Sequence, residues 1–208
     1  MMKTIIKIYT YISLLIILTL VPFMLMAGSG STEDSNTSGN ISIDIDIESG
    51  DFYLPMEGIY TTADYGIYFP FGFAEMHNGI DLDVEDTGNE NVYSMSNGTV
   101  YSIENNIDGR GNCVYILHKS GSSYISTSYF HLSTINVKVG DKVDANTVIG
   151  LQGTTGYSTG KHLHLEVAPN MSPIPTVGEH QSKRVDPRRI FSFPTVGGYQ
   201  DSRLMNNE

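Results

Sequence analysis

Apolar residues along this chain come in short runs that alternate with polar ones or fill a single strand length. Val92–Ser94, Gly98–Ile103, Val114–His118, Tyr124–Phe130, Thr147–Gly150 and His162–Val167 all have this character, and Gly, Asn, Asp and Ser separate them. Side chains on a strand alternate between its two faces, so such runs bounded by turn formers predict strands. Helical character is confined to one turn near Pro187–Phe191. The 21 glycines suit the tight turns that many short strands require. The pattern predicts an all-β fold: a compact antiparallel β-sandwich or open barrel with a groove across one sheet. The aromatic run Tyr65–Phe73 and Tyr157 are expected to wall that groove.

The N-terminal quarter reads differently. Ile8–Ala27 contains no charged side chain and follows Lys3 and Lys7. About 20 apolar residues can cross a bilayer, and the small residues Ala27, Gly28 and Ser29 could equally serve a cleaved signal peptide. Residues 28–57 are acidic, with no Lys or Arg, as in a stalk that cannot fold alone. Within it Ile41, Ile43, Ile45 and Ile47 alternate with polar residues. That period of two predicts an edge strand of the following domain, the alternative being a segment that occludes the groove or joins a partner's sheet. The division expected is therefore an N-terminal signal or membrane anchor (1–27), an acidic linker (28–57), a folded domain (58–192) and a C-terminal tail (193–208).

The formal charge of −11 and the lack of a basic patch exclude electrostatic binding to nucleic acid. A single cysteine, Cys113, permits no intramolecular disulfide, so stability must come from packing; its apolar flank predicts a buried thiol.

Candidate chemistry lies in the histidines. His162-Leu163-His164 puts two imidazoles on one strand face, and His77-Asn78-Gly79-Ile80-Asp81 offers an imidazole and a carboxylate far upstream. A hydrolytic zinc site takes three protein ligands and leaves a position for water. His77, Asp81 and one histidine of the pair would make that set, leaving the other histidine to act on the water. His131, where a Tyr-rich run ends, is a further proton carrier. His118, at the end of an apolar strand, is expected to be structural, and His180, in a polar segment, to be exposed. Glu166, on the face of His164, could accept a hydrogen bond from that ring.

These segments together resemble the lysostaphin/LytM-type zinc endopeptidases, which cut peptide cross-links in bacterial peptidoglycan. The resemblance runs from about Tyr60 to about Ile190. It includes H-x-x-x-D at His77 and Asp81, Gly98-Thr99-Val100, Y-x-H-L at Tyr129–Leu132, Val139–Val143, the glycines 150, 153 and 156, and Ser158–His164. It implies that His77, Asp81 and His164 ligate Zn2+ and that His131 and His162 are the catalytic pair. It further implies cleavage of peptidoglycan peptides outside the cytoplasm, at the cell wall, with the N-terminal segment contacting the membrane. The chain departs from the pattern at Tyr68, where the family usually has Arg, and at Lys161, where Pro is frequent; both bear on substrate preference. The competing expectation is a non-catalytic or regulatory cell-wall binding module of the same fold. A carbohydrate-cleaving enzyme would need a pair of catalytic acids, and Asp83, Glu85 and Asp86 read better as loop residues.

Overall fold

The computed structural model describes residues 51–69, 73–84, 89–107, 109–203 and 205. The apolar stretch at 8–27 and the isoleucine run at 41–47 lie outside them. Thirteen strands follow one another: β1 Ile59–Ala63, β2 Gly66–Tyr68, β3 Glu75–His77, β4 Ile80–Val84, β5 Asn91–Tyr93, β6 Gly98–Ile107, β7 Gly111–Ser120, β8 Ser123–Phe130, β9 Thr134–Ile135, β10 Lys142–Val143, β11 Val148–Leu151, β12 Leu163–Ala168 and β13 Tyr199–Gln200. Eight form one sheet in the order β10-β6-β7-β8-β12-β4-β1-β13, antiparallel at every pairing. β5, β11 and β9 make a smaller sheet, and β2 pairs with β3 in a hairpin. The all-β antiparallel expectation holds.

The large sheet is buried on both faces at its centre. Along β7, Val114 and Ile116 enter the main core, while Cys113, Tyr115 and Leu117 enter a second cluster on the other side. This is why Val114–His118 reads as a continuous apolar run rather than an alternating one. The main core is shared with the small sheet through Val92 and Ile149. β12 divides the same way: Leu163, Leu165 and Val167 face the main core, and Ala168 faces the second cluster. His164 and Glu166 share the parity of Ala168, so the face they occupy is the one that carries the site.

Three expectations need correction. A helix, α1 (Val177–Lys183), is present where none was predicted. Only His180 of its seven residues is buried, so no apolar period of 3.6 marks it. The signal that could have found it is Thr176-x-x-Glu179, since the Thr176 hydroxyl accepts from the Glu179 N–H as an N-cap. His180 itself is fully buried rather than exposed. Its Nδ1 lies 2.8 Å from Ser126 Oγ and its Nε2 3.0 Å from Ser128 Oγ, which offsets the burial of a polar ring. Finally, the folded unit passes the boundaries at 58 and 192. Leu54 and Met56 are fully buried in the main core, Phe193 joins them, and β13 pairs with β1. Arg203 Nε then donates to the Leu54 carbonyl at 2.9 Å, tying the two ends of the described chain together.

Candidate active site

Cross-strand register brings the site together. β12 and β4 pair with His164 opposite Asp81, and β12 and β8 pair with His164 opposite Phe130. His77 ends β3, two residues before the turn glycine that leads into β4. At Gly79 a Cβ would lie 2.3 Å from the Leu165 carbonyl oxygen and 2.8 Å from His164 Nε2, so only glycine lets this turn approach β12 closely. As a result His77 Nε2, Asp81 Oδ1 and His164 Nδ1 sit 2.9 to 3.0 Å from one another, all on buried residues.

Each imidazole is oriented from behind. His77 Nδ1 donates to the Asp64 carbonyl at 2.6 Å, and Tyr68 packs on the ring at 4.8 Å. Phe130 stacks on His164, whose Nε2 faces Glu166 Oε1 at 3.6 Å. With protons placed on those outward nitrogens, His77 Nε2 and His164 Nδ1 present lone pairs toward Asp81 Oδ1. Three lone pairs converging on one point repel unless a cation lies among them. The charges around the cluster make the same demand. Burial by itself would lower His164, but the Asp81 and Glu166 carboxylates outweigh it and raise the imidazole to about 9. Burial likewise opposes ionisation of Asp81, yet hydrogen bonds with His164 and His77 hold it well below the ordinary carboxylate range. Two imidazoles and one carboxylate are also the donor types of hydrolytic metal sites. The residues fit a metal ion.

The other two expected residues lie beside this cluster. His131 adopts φ +62°, a left-handed conformation that ends β8 and turns the ring into the groove. Its Nδ1 donates to the Thr155 carbonyl at 2.7 Å, leaving Nε2 free, and burial lowers the ring to about 4. The Thr155 loop is seated by Gly156, where a Cβ would come within 2.3 Å of the Gly111 nitrogen. His162 Nδ1 donates to the Gly160 carbonyl at 2.9 Å, and its Nε2 is 3.7 Å from Asp81 Oδ1. The His131 and His162 ring centroids are 4.8 Å apart. All five residues line one groove of about 540 Å3, walled by Tyr68 and Tyr157 as expected from their sequence positions. Burial and the neighbouring Asp81 carboxylate keep the Tyr68 phenol raised above its usual range.

Two other histidines stay outside the groove. His118 is fully buried on the opposite face, between the Asn97 carbonyl at 3.0 Å and Thr127 Oγ1 at 2.8 Å, and burial lowers it to about 4. Cys113 is buried as expected, its thiol pushed up to about 12 by burial, so it is no nucleophile. What sequence reasoning missed are backbone acceptors: the carbonyls of Asp64, Thr155 and Gly160 carry no sequence signal. Arg184, which lines the groove 3.5 Å from Glu166 Oε1, was missed because it follows the unpredicted helix.

The profile of Peptidase family M23 matches residues 75–176, which contain all five residues. The solved structure of LytU is 30% identical, with a TM-score of 0.51, and the likeness covers 64% of this chain and 84% of LytU. The chain belongs to peptidase family M23. Among curated M23 relatives, lysostaphin of Staphylococcus simulans is 39% identical over 103 residues, 49% of this chain and 20% of its own length. The peptidoglycan DD-endopeptidase ShyA of Vibrio cholerae is 42% identical over 98 residues, 47% of this chain and 21% of ShyA. The chain thus spans about a fifth of the length of these relatives. A complex of SpoIIQ with SpoIIIAH, 23% identical with a TM-score of 0.53, shares the fold of the M23 domain.

Proposed function

We propose that this M23 domain is a zinc-dependent endopeptidase that hydrolyses peptide bonds in peptidoglycan stem peptides or cross-bridges. The observation that carries the reading is the convergence of His77 Nε2, Asp81 Oδ1 and His164 Nδ1 within 3.0 Å, with the His131 and His162 rings side by side next to them. These three residues would hold the ion. A zinc ion held there would lower the pKa of bound water to about 7 and polarise a carbonyl. His131 and His162 divide the proton work. Each has its Nδ1 proton committed to a backbone carbonyl, so Nε2 alone exchanges protons with the groove. One would accept the proton of the attacking water at Nε2, and the other, on a ring that carries a second proton at Nε2, would donate to the oxyanion. Tyr68 and Tyr157 wall the space in which an extended peptide would lie.

Relatives named for peptidoglycan and glycyl-glycine cleavage support this substrate class. Peptidoglycan places the activity outside the cytoplasm, where the apolar segment at 8–27 would tether or export the domain. Defined peptidoglycan incubated with the purified protein should release fragments cut at peptide bonds. Their absence with a zinc-loaded protein would refute the assignment.

A further inference from the structure

Glu166 is a carboxylate that the proposed chemistry does not use, and it is 3% exposed. A buried carboxylate costs stability unless it is well paired. The sheet face it occupies also carries Phe130, Tyr115 and Ala168 of the second apolar cluster, and Ser128 lies directly opposite it on β8. Yet three nitrogen groups converge on it: His164 Nε2 at 3.6 Å, His180 Nε2 at 3.3 Å and Arg184 Nη1 at 3.5 Å. Its Oε2, the oxygen nearest His180 Nε2, makes no well-aligned hydrogen bond with it.

The second and third of those groups come from helix α1 and the residue that ends it. α1 begins one residue after the segment matched by the M23 profile. His180 cannot turn away, because Ser126 and Ser128 hold its two nitrogens, Tyr101 in turn bonds Ser126 at 2.9 Å, and Tyr115 meets the ring edge-on at 5.5 Å. A lysine at the end of the helix, Lys183, pairs instead with Glu179 at 2.8 Å and takes no part.

From this geometry we propose that α1 is a part of the metal site: His180 and Arg184 hold the Glu166 side chain in place, and Glu166 fixes the ring of His164. The inference rests on the reading of His164 as a zinc ligand. Glu166 is a positioning residue in it. A carboxylate behind an imidazole keeps the proton on the outward nitrogen, aims the inward lone pair and makes the ring a better donor, and loss of such a group commonly weakens metal affinity about 10- to 100-fold. Arg184 acts one step further out, through Glu166, so its effect should be smaller and of the same sign.

The test is the zinc dissociation constant of the full chain, measured by competition with a fluorescent chelator, with the absorption spectrum of the cobalt form as a second readout. Glu166→Gln should weaken zinc binding about 10- to 100-fold and change the cobalt spectrum. Arg184→Met should weaken binding several-fold, about 3- to 10-fold being the portion left to an indirect partner. Lys183→Met, on the same helix, should leave both readouts unchanged. If Glu166→Gln fails to fold, Arg184→Met decides, since that side chain is partly exposed. Wild-type affinity in folded Glu166→Gln and Arg184→Met would overturn the inference while leaving the zinc site intact. Failure of the wild-type protein to bind stoichiometric zinc would overturn the zinc reading, and this inference with it.

Discussion

Five side chains carry the proposed chemistry, and they fall into two kinds by what lies behind them. His77, Asp81 and His164 point donor atoms at one another within 3.0 Å, whereas His131 and His162 line the groove beside them, His162 Nε2 coming no nearer to Asp81 Oδ1 than 3.7 Å. Two mutational outcomes follow from this division. Asp81→Ala removes the one anionic donor, so the purified protein should lose stoichiometric zinc by elemental analysis; full occupancy in that variant would remove Asp81 from the ligand set. His131→Ala should keep the metal and lose about 10²- to 10⁴-fold in rate, the usual worth of general acid–base help. His164→Ala should lose metal and activity together. Equal metal loss in the His131 and His164 variants would contradict the division. At this scale the sequence was informative where chemistry resides in side chains. The spacing of His77 to Asp81 and of His162 to His164 was legible, because a tight turn and a strand face are both short-range. Which histidine of the pair ligates was not legible from spacing. It depends on His164 lying opposite Asp81 in the β4–β12 register, a pairing of residues 83 positions apart.

Elements position these residues by burying one face and leaving the other for the site. β5 to β8, β11 and β12 were legible because their apolar runs are bounded by turn residues, whereas β9 and β10, two residues each, were not. β1 to β4 are short, three to five residues each, and gave too few positions for a period to show. α1 escaped because a nearly polar helix has no apolar stripe. Two stability predictions belong here. His118 is neutral in the folded protein at pH values where the unfolded chain binds a proton. Its pKa falls from 6.5 to about 4 on burial. Below pH 6.5 the unfolded state therefore holds the extra proton, and stability is lost as pH falls toward 4, by about 3 kcal/mol from this group. Urea unfolding across that range should show a shallower pH dependence in His118→Gln; an unchanged slope would count against it. Leu54 and Met56 are fully buried although they lie in the acidic segment. A chain beginning at Gly58 should therefore melt at a markedly lower temperature than one beginning at Asp51, because each lost core side chain is worth about 2–5 kcal/mol. Equal melting temperatures would show that these residues contribute little.

For the whole molecule, the fold and the groove serve one purpose: an antiparallel sheet with two buried faces at its centre opens along one side into a polar cleft. The acidic balance, with a formal charge of −11, offers the protein no attraction to an anionic wall. Within this domain the side chains placed to recognise a substrate are those of the groove wall: Tyr68, Tyr157 and the two groove arginines, Arg110 and Arg184. The central claim is a metal-dependent cut at a peptide bond. Mass spectrometry of the fragments released from defined peptidoglycans by the purified protein tests it most directly. The account predicts new amino and carboxyl termini within stem peptides or cross-bridges, lost on chelation and restored by zinc. Release of cleaved glycan with intact peptides, or peptide cleavage that survives removal of the metal, would contradict it.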